Sequence, residues 1–201
     1  MLGVEIVKSR GEIKMRQERR DAAENRQRIL NAAIKLFEQH GVKQVSMNQI
    51  AIEAQIGSGT LYRRYKNKSE LCLELIKDNI LLLFEDIEVY LKEHQTHTPR
   101  QRLKGVLSLF MRFRDRKLQL LAGVEEGALE GSHLKFNLHE VVVQLLKEMN
   151  RDEHTRANTV FKADMLLMAL RSDSYIFQRD VRGYSSESFL NQIFLTFFPE
   201  R

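Results

Sequence analysis

Apolar residues recur along this chain at the spacing of helices, and almost nowhere at the spacing of strands. Ile29, Ala33, Leu36 and Phe37 fall at i, i+4, i+7 and i+8, one stripe on a helix that builds from Ala22. Gly41 after His40 fits a left-handed C-terminal stop. Ser46 opens a second helix. Gln49 stands three residues on, the spacing of a capping box, and Ile50, Ala51 and Ala54 supply its buried side. A short third helix is predicted from near Gly57 to Tyr65. Asn67 and Glu70 repeat the capping-box spacing and start a long helix through Leu71, Leu75, Leu82, Phe84, Ile87 and Leu91. That helix gives way near Thr96–Pro99, and Pro99 suits the first turn of the next one. Further helices are predicted over Leu103–Leu121, Leu134–Met149, Thr159–Phe177 and Ser188–Phe198, with a break marked by Gly127 and Gly131. Before about Arg20 no apolar period is visible. That stretch reads as disordered, and Met15 is a candidate natural start. The plan is all-α: three short helices, a long connecting helix, then a helical bundle.

Composition supports this and narrows the class. Only two prolines and ten glycines interrupt 201 residues, which are rich in good helix formers. No long apolar run suggests a membrane span, and the charged N-terminus does not resemble a signal peptide. The single cysteine, Cys72, excludes a disulfide framework within the chain and suits a reducing cytoplasm. The net charge of +5 is unevenly placed. Residues 1–78 hold 15 Lys and Arg against 10 Asp and Glu, whereas residues 79–201 hold 17 of each. All of the surplus therefore lies in the first part of the chain, as a polyanionic partner would favour.

The surplus is densest from Gly57 to Lys68, where Arg63, Arg64, Lys66 and Lys68 occur without a carboxylate. Two helices joined by a tight turn and braced by a third form a helix-turn-helix, whose second member enters the major groove of DNA. With Leu61 and Tyr65 facing inward at i and i+4, Gly59, Tyr62, Arg63 and Lys66 project outward. Gly59 keeps that face low for close approach to DNA. Arg63 offers a fork to guanine edges or phosphate, and Thr60 and Tyr62 offer hydroxyls to phosphate. Lys68 starts the next helix, where free N–H groups also favour phosphate. Ser46 and Ser58 complete the candidate DNA-binding set. A solvated helix face is the plain alternative for these cations. Arg16, Arg19, Arg20, Arg26 and Arg28 are alternatively a minor-groove arm or ordinary helix charges interrupted by Glu18, Asp21 and Glu24.

The segment IAIEAQIGSGTLYRRYKNKSEL resembles the DNA-binding segment of the TetR (tetracycline-repressor-like) transcriptional regulators. Upstream, AENRQRILNAAIKLFEQHGVKQVSMNQIA is similar to that family's first helix and the start of its second. The resemblance runs from about Asn25 to Leu83. It implies that Gly59, Thr60, Leu61 and Tyr62 form the core of the recognition helix, that Tyr65 packs beneath it, and that Lys68 contacts backbone phosphate. Two positions depart from the pattern. Gln55 replaces a common turn glycine, which asks a residue with a Cβ to take a left-handed conformation at roughly 1 kcal/mol. Gly57 replaces a serine cap, weaker by only a few tenths of a kcal/mol.

By the same resemblance the chain divides into a disordered or arm-like basic N-terminus (1–22), a helix-turn-helix DNA-binding domain (23–84) and a ligand-binding and dimerisation domain (85–201). The implied function is a cytoplasmic, homodimeric regulator. It binds double-stranded DNA as a repressor of a palindromic operator and is released by an unidentified small-molecule effector. No cofactor, metal or membrane is implied. Phe84, Phe110, Met111, Phe113, Met165, Met168 and Tyr175 are candidates for the effector pocket, against the plain alternative of core packing. Phe189, Ile193, Phe194 and Phe197, with Phe198, are candidates for the dimer interface, against packing within one subunit. Arg112, Arg114 and Arg116 are expected at the surface, with a cavity cation for an anionic ligand as the alternative.

The rival class is an enzyme, a helical carboxylate metalloprotein. The chain offers one Glu-x-x-His spacing, Glu130–His133, without a second copy, and His94 and His97 lack a carboxylate partner. No P-loop, dinucleotide fingerprint or nucleophile elbow is present, so no enzymatic activity is expected. A DNA-binding protein without an effector is the third reading. It leaves the apolar-rich C-terminal half without a purpose.

Overall fold

The computed structural model describes the backbone of residues 2–127, 133–149 and 158–199, and the side chains of residues 20–125, 138–149 and 158–199. Among the described residues it is all helical: α1 (Leu2–His40), α2 (Met47–Glu53), α3 (Ser58–Arg64), α4 (Lys68–Glu93), α5 (Pro99–Gly127), α6 (His133–Met149), α7 (Thr159–Ala169), α8 (Ser172–Asp180) and α9 (Ser186–Phe197). Two compact units divide the chain, Met1–Leu71 and Cys72–Arg201. The division falls in the first turn of α4 rather than at 84. Glu130 and the side chain of His133, the Glu-x-x-His spacing, lie outside the described residues, as does Gly131.

In the first unit, α1 differs from expectation by starting at Leu2 instead of near Ala22. The stretch lacks an apolar period, but it has no proline and is rich in Glu, Lys, Arg and Met, so helix propensity suffices for a helical backbone. Gly41 ends α1 at φ 77°, and its N–H reaches the Phe37 carbonyl at 2.9 Å. Ser46 caps α2 in a full capping box: the Gln49 N–H meets Ser46 Oγ at 3.3 Å and the Ser46 N–H meets Gln49 Oε1 at 2.8 Å. Gln55 then takes φ 53°. Its N–H donates to the Ile52 carbonyl at 2.9 Å, and the Ile56 N–H donates back to Ala51 at 3.0 Å, a Schellman stop that turns the chain into α3. Ile29, Ala33, Ile50, Ala51, Leu61 and Leu71 are buried and form the core of this unit.

The second unit is organised around α5, which packs against α6, α8 and α9. Two of its helices differ from the sequence reading. Thr159–Phe177 is broken between α7 and α8, where Arg171 is extended (φ −62°, ψ 155°). Glu125 of α5 explains the break, because its carboxylate accepts the Ser172 N–H at 2.7 Å and so caps α8 from another helix. α5 is itself kinked at Lys117 (φ −124°, ψ 20°). The Tyr90 ring of α4 packs against α5 at Gly105; a Cβ there would stand 2.0 Å from Tyr90 Oη. Only glycine leaves room for the Tyr90 ring there.

Candidate nucleic-acid interface

α3 is seven residues long and two-faced. Leu61 is fully buried and Tyr65, its C-cap, nearly so, while Ser58, Gly59, Tyr62, Arg63, Arg64 and Lys66 are exposed. No carboxylate occurs in this segment. The sequence-predicted residues Ser58, Gly59, Tyr62, Arg63 and Lys66 thus share one exposed, cationic surface, with Thr60 half-buried beside them. Thr60 Oγ1 accepts from Arg63 Nη2 at 3.3 Å, which ties the two side chains together. Both line a groove of about 720 Å³ against Ala22 and Asn25 of α1.

The position of α3 is fixed from both ends. Arg28 of α1 donates to the Gln55 carbonyl at 2.7 Å, holding the left-handed turn that precedes α3. Arg64 donates to the Ala22 carbonyl at 3.3 Å, tying the end of α3 to α1. Two of the cations that the sequence offers for DNA therefore brace the motif instead. Ser46 is exposed but occupied as the α2 cap.

Lys68 is the main departure in this unit. Its ammonium donates to the carbonyls of Val42 at 2.7 Å, Val45 at 3.1 Å and Lys43 at 3.3 Å. An ammonium has three donors, and the loop between α1 and α2 takes all of them. Lys68 is partly buried as a brace and does not project as a free phosphate contact. Below it, Glu70 completes the α4 cap in a shifted form: its N–H meets Asn67 Oδ1 at 2.9 Å, but its carboxylate accepts the Lys66 N–H at 2.7 Å.

In sequence and in fold the chain is similar to known proteins. The sequence pattern of the bacterial regulatory proteins of the tetR family matches residues 29–75. An HTH-type transcriptional regulator of Staphylococcus aureus (strain USA300) is 33% identical over 189 residues, covering 90% of this chain and 97% of the relative. The chain belongs to the TetR family. It is a DNA-binding transcriptional regulator of helix-turn-helix type. Its fold is shared by Thermus thermophilus FadR, a TetR-family repressor solved with lauroyl-CoA, at a TM-score of 0.60 and 18% identity over 86% of this chain and 92% of that one. Bacillus subtilis FadR, solved with stearoyl-CoA, matches at a TM-score of 0.52 and 18% identity over 87% and 99%. Among the described residues of this TetR-family chain, no helix is long and apolar enough to cross a membrane.

In the C-terminal unit the structure rearranges the sequence-predicted residues. Of the seven pocket candidates, Phe110, Met111, Phe113 and Tyr175 are buried and Phe84 is half-buried, but Met165 and Met168 of α7 are exposed. α7 turns Leu166 and Ala163 inward, and at helical spacing this puts both methionines outside. The interface candidates are corrected in the same way: Phe189, Ile193 and Phe194 are buried within their own chain and Phe197 is half-buried. α9 is held between α5, α7 and α8, with the Phe189 ring tilted at 42° against that of Tyr175, 5.4 Å between ring centres.

Arg114, expected at the surface, is 1% exposed. Its guanidinium lies over the Phe110 ring at 4.6 Å and 5.9 Å from the centre of the Tyr175 ring, and Nη1 reaches Met111 Sδ at 3.7 Å. Nε has no hydrogen-bond partner among the described residues. Burial lowers its pKa to about 10, against the opposing pull of Glu125, Tyr175 and Asp115. Those acids are engaged elsewhere, Glu125 with Ser172 and Asp115 with the Tyr175 hydroxyl at 2.7 Å. Burial, and then that hydrogen bond, raise the Tyr175 pKa. Arg112 and Arg116, by contrast, are exposed as expected. They border a groove of about 350 Å³ between α4 and α5, and of the seven pocket candidates only Phe113 lines it.

Proposed function

We propose that this TetR-family regulator is a cytoplasmic repressor that binds a palindromic operator as a homodimer and is released by a small-molecule effector bound in its C-terminal unit. The observation that carries the DNA reading is the exposed surface of α3 and the residue after its cap: Ser58, Tyr62, Arg63, Arg64 and Lys66 with Gly59, no carboxylate, over a buried Leu61 and Tyr65. Arg63 and Thr60 read base edges or the adjoining backbone, and Ser58, Tyr62 and Lys66 anchor phosphates. Gly59 lets the helix backbone come close. Ser46 positions α2, and Lys68 holds the loop before it.

One chain carries one recognition helix, so two-fold pairing presents two of them to successive major grooves. Support for pairing comes from α7, where Phe161, Met165 and Met168 at i, i+4 and i+7 form an exposed apolar stripe, with Val160 and, on α9, Leu195 also exposed. Such an area favours a second copy of the chain. The effector reading draws support from the two acyl-CoA-bound FadR structures of the same fold. An effector releases DNA by preferring a conformation in which the paired recognition helices no longer match the groove spacing.

Arg63→Ala tests the reading directly by fluorescence anisotropy on operator duplexes. The loss expected for a bidentate guanine contact is about 1–3 kcal/mol, with relaxed preference at one symmetric pair of operator positions. Uniform weakening over all sequences would reassign Arg63 to phosphate, and unchanged binding would remove α3 from the interface.

A further inference from the structure

We propose that the groove between α4 and α5 binds an amphiphilic organic phosphate, an apolar chain joined to a phosphorylated head. The inference rests on the effector reading and gives it a place and a ligand chemistry. The groove lies within the second unit and encloses about 350 Å³, within the usual size of a small-molecule site. Its apolar floor is formed by Leu82 and Leu83 of α4 and by Leu109 and Phe113 of α5. Leu82 is 56% exposed, an apolar surface with no cover among the described residues. Its rim carries three cations, Arg112, Arg116 and Lys117, against one carboxylate, Asp86, with Asn79 as a further polar group.

Three features separate this groove from an ordinary solvated face. Arg112 and Arg116 stand at i and i+4, where like charges repel, and among the described residues neither their side chains nor that of Lys117 makes a hydrogen bond or ion pair. An anion on the rim removes that repulsion and supplies the missing acceptors. Next, α5 leaves helical geometry at Lys117 on this rim, although residues 113–121 contain neither glycine nor proline and favour a helix. A fold that departs from its local preference at one point marks that point for a purpose other than stability. Finally, cations and a leucine floor share one concavity. DNA phosphates would use the cations and leave the leucines wet, whereas a ligand with both parts uses both.

Lauroyl-CoA below its micelle concentration is the probe, with coenzyme A and laurate as its separate halves, titrated calorimetrically into the full chain. Wild-type protein is expected to bind lauroyl-CoA at least tenfold more tightly than either half. The double variant Arg112→Glu/Arg116→Glu should lose at least tenfold in affinity for lauroyl-CoA. Leu82→Glu should lose a similar factor for lauroyl-CoA and little for coenzyme A. All three positions are exposed, so an unchanged circular dichroism spectrum and melting temperature are expected of the variants. Unaltered lauroyl-CoA affinity in a folded double variant overturns the site, and so does wild-type protein that binds none of the three probes. If operator release by a compound of another class is then observed, the groove proposal fails while the effector-responsive reading stands. A wild-type protein that fails to bind DNA sequence-specifically would count against that reading instead.

Discussion

A methyl group added at Gly59 would meet nothing within 4 Å, and the backbone there needs no positive φ. The fold itself therefore does not require glycine at this position, and an interior helical glycine is less stable than alanine by about 0.5–1 kcal/mol. Gly59→Ala should raise stability by that amount in urea unfolding and weaken operator binding by on the order of tenfold, about 1.4 kcal/mol. Stability and binding moving together would mean that Gly59 serves only the fold. Lys68 gives the opposite prediction, since its ammonium is used up on the carbonyls of Val42, Lys43 and Val45. Lys68→Ala should cost about 1–3 kcal/mol of stability while leaving the slope of log affinity against log salt nearly unchanged. A stable variant whose slope falls by about one unit would show a phosphate contact after all. Sequence reading succeeded at Gln55, because a missing turn glycine makes a local demand that the backbone meets at φ 53°. It missed the bracing roles of Lys68, Arg28 and Arg64, whose partners are carbonyls 23–42 residues away and leave no trace in spacing.

Among the elements, the periodic ones were legible and their partners were not. α2, α3 and the cap of α4 follow from capping residues and short apolar patterns. The N-terminal part of α1 has no apolar stripe to announce it, and propensity alone sets it. In α5 the buried Leu103, Leu107, Phe110, Leu118 and Leu121 describe a stripe on which Arg114 falls. The register pointed inward, but the charge argued for the surface. Two aromatic rings and a thioether receive the guanidinium, and no sequence period announces them. The stripe of α9 was equally plain, yet periodicity does not say whether a neighbour within the chain or a second copy covers it. The structure gives α9 to its own chain and leaves α7 exposed. Phe161→Glu/Met168→Glu should then yield folded, helical monomers with reduced operator affinity, by analytical ultracentrifugation and circular dichroism. Ile193→Glu, placed in the core, should instead unfold the second unit. A folded double variant that remains dimeric would rule out the α7 interface.

For the whole molecule, the family followed from a segment of fewer than sixty residues, because DNA geometry constrains that segment tightly, whereas the all-helical plan followed from apolar periodicity along the whole chain. The C-terminal unit has no such external template. Its groove is assembled from Asn79–Asp86 and Leu109–Lys117, segments that meet only when α4 and α5 pair across Tyr90 and Gly105. α4 belongs to both units by continuity: its first turn carries Lys68, and its later turns carry the groove leucines. The central claim is that paired α3 helices read DNA, and selection of binding sites from a randomised duplex library tests it most directly. The account predicts enrichment of an inverted repeat whose half-sites lie about one helical turn apart or a multiple of it, with the symmetric preference weakened in Arg63→Ala. Enrichment of a single unsymmetric site, or of no sequence at all, would contradict it.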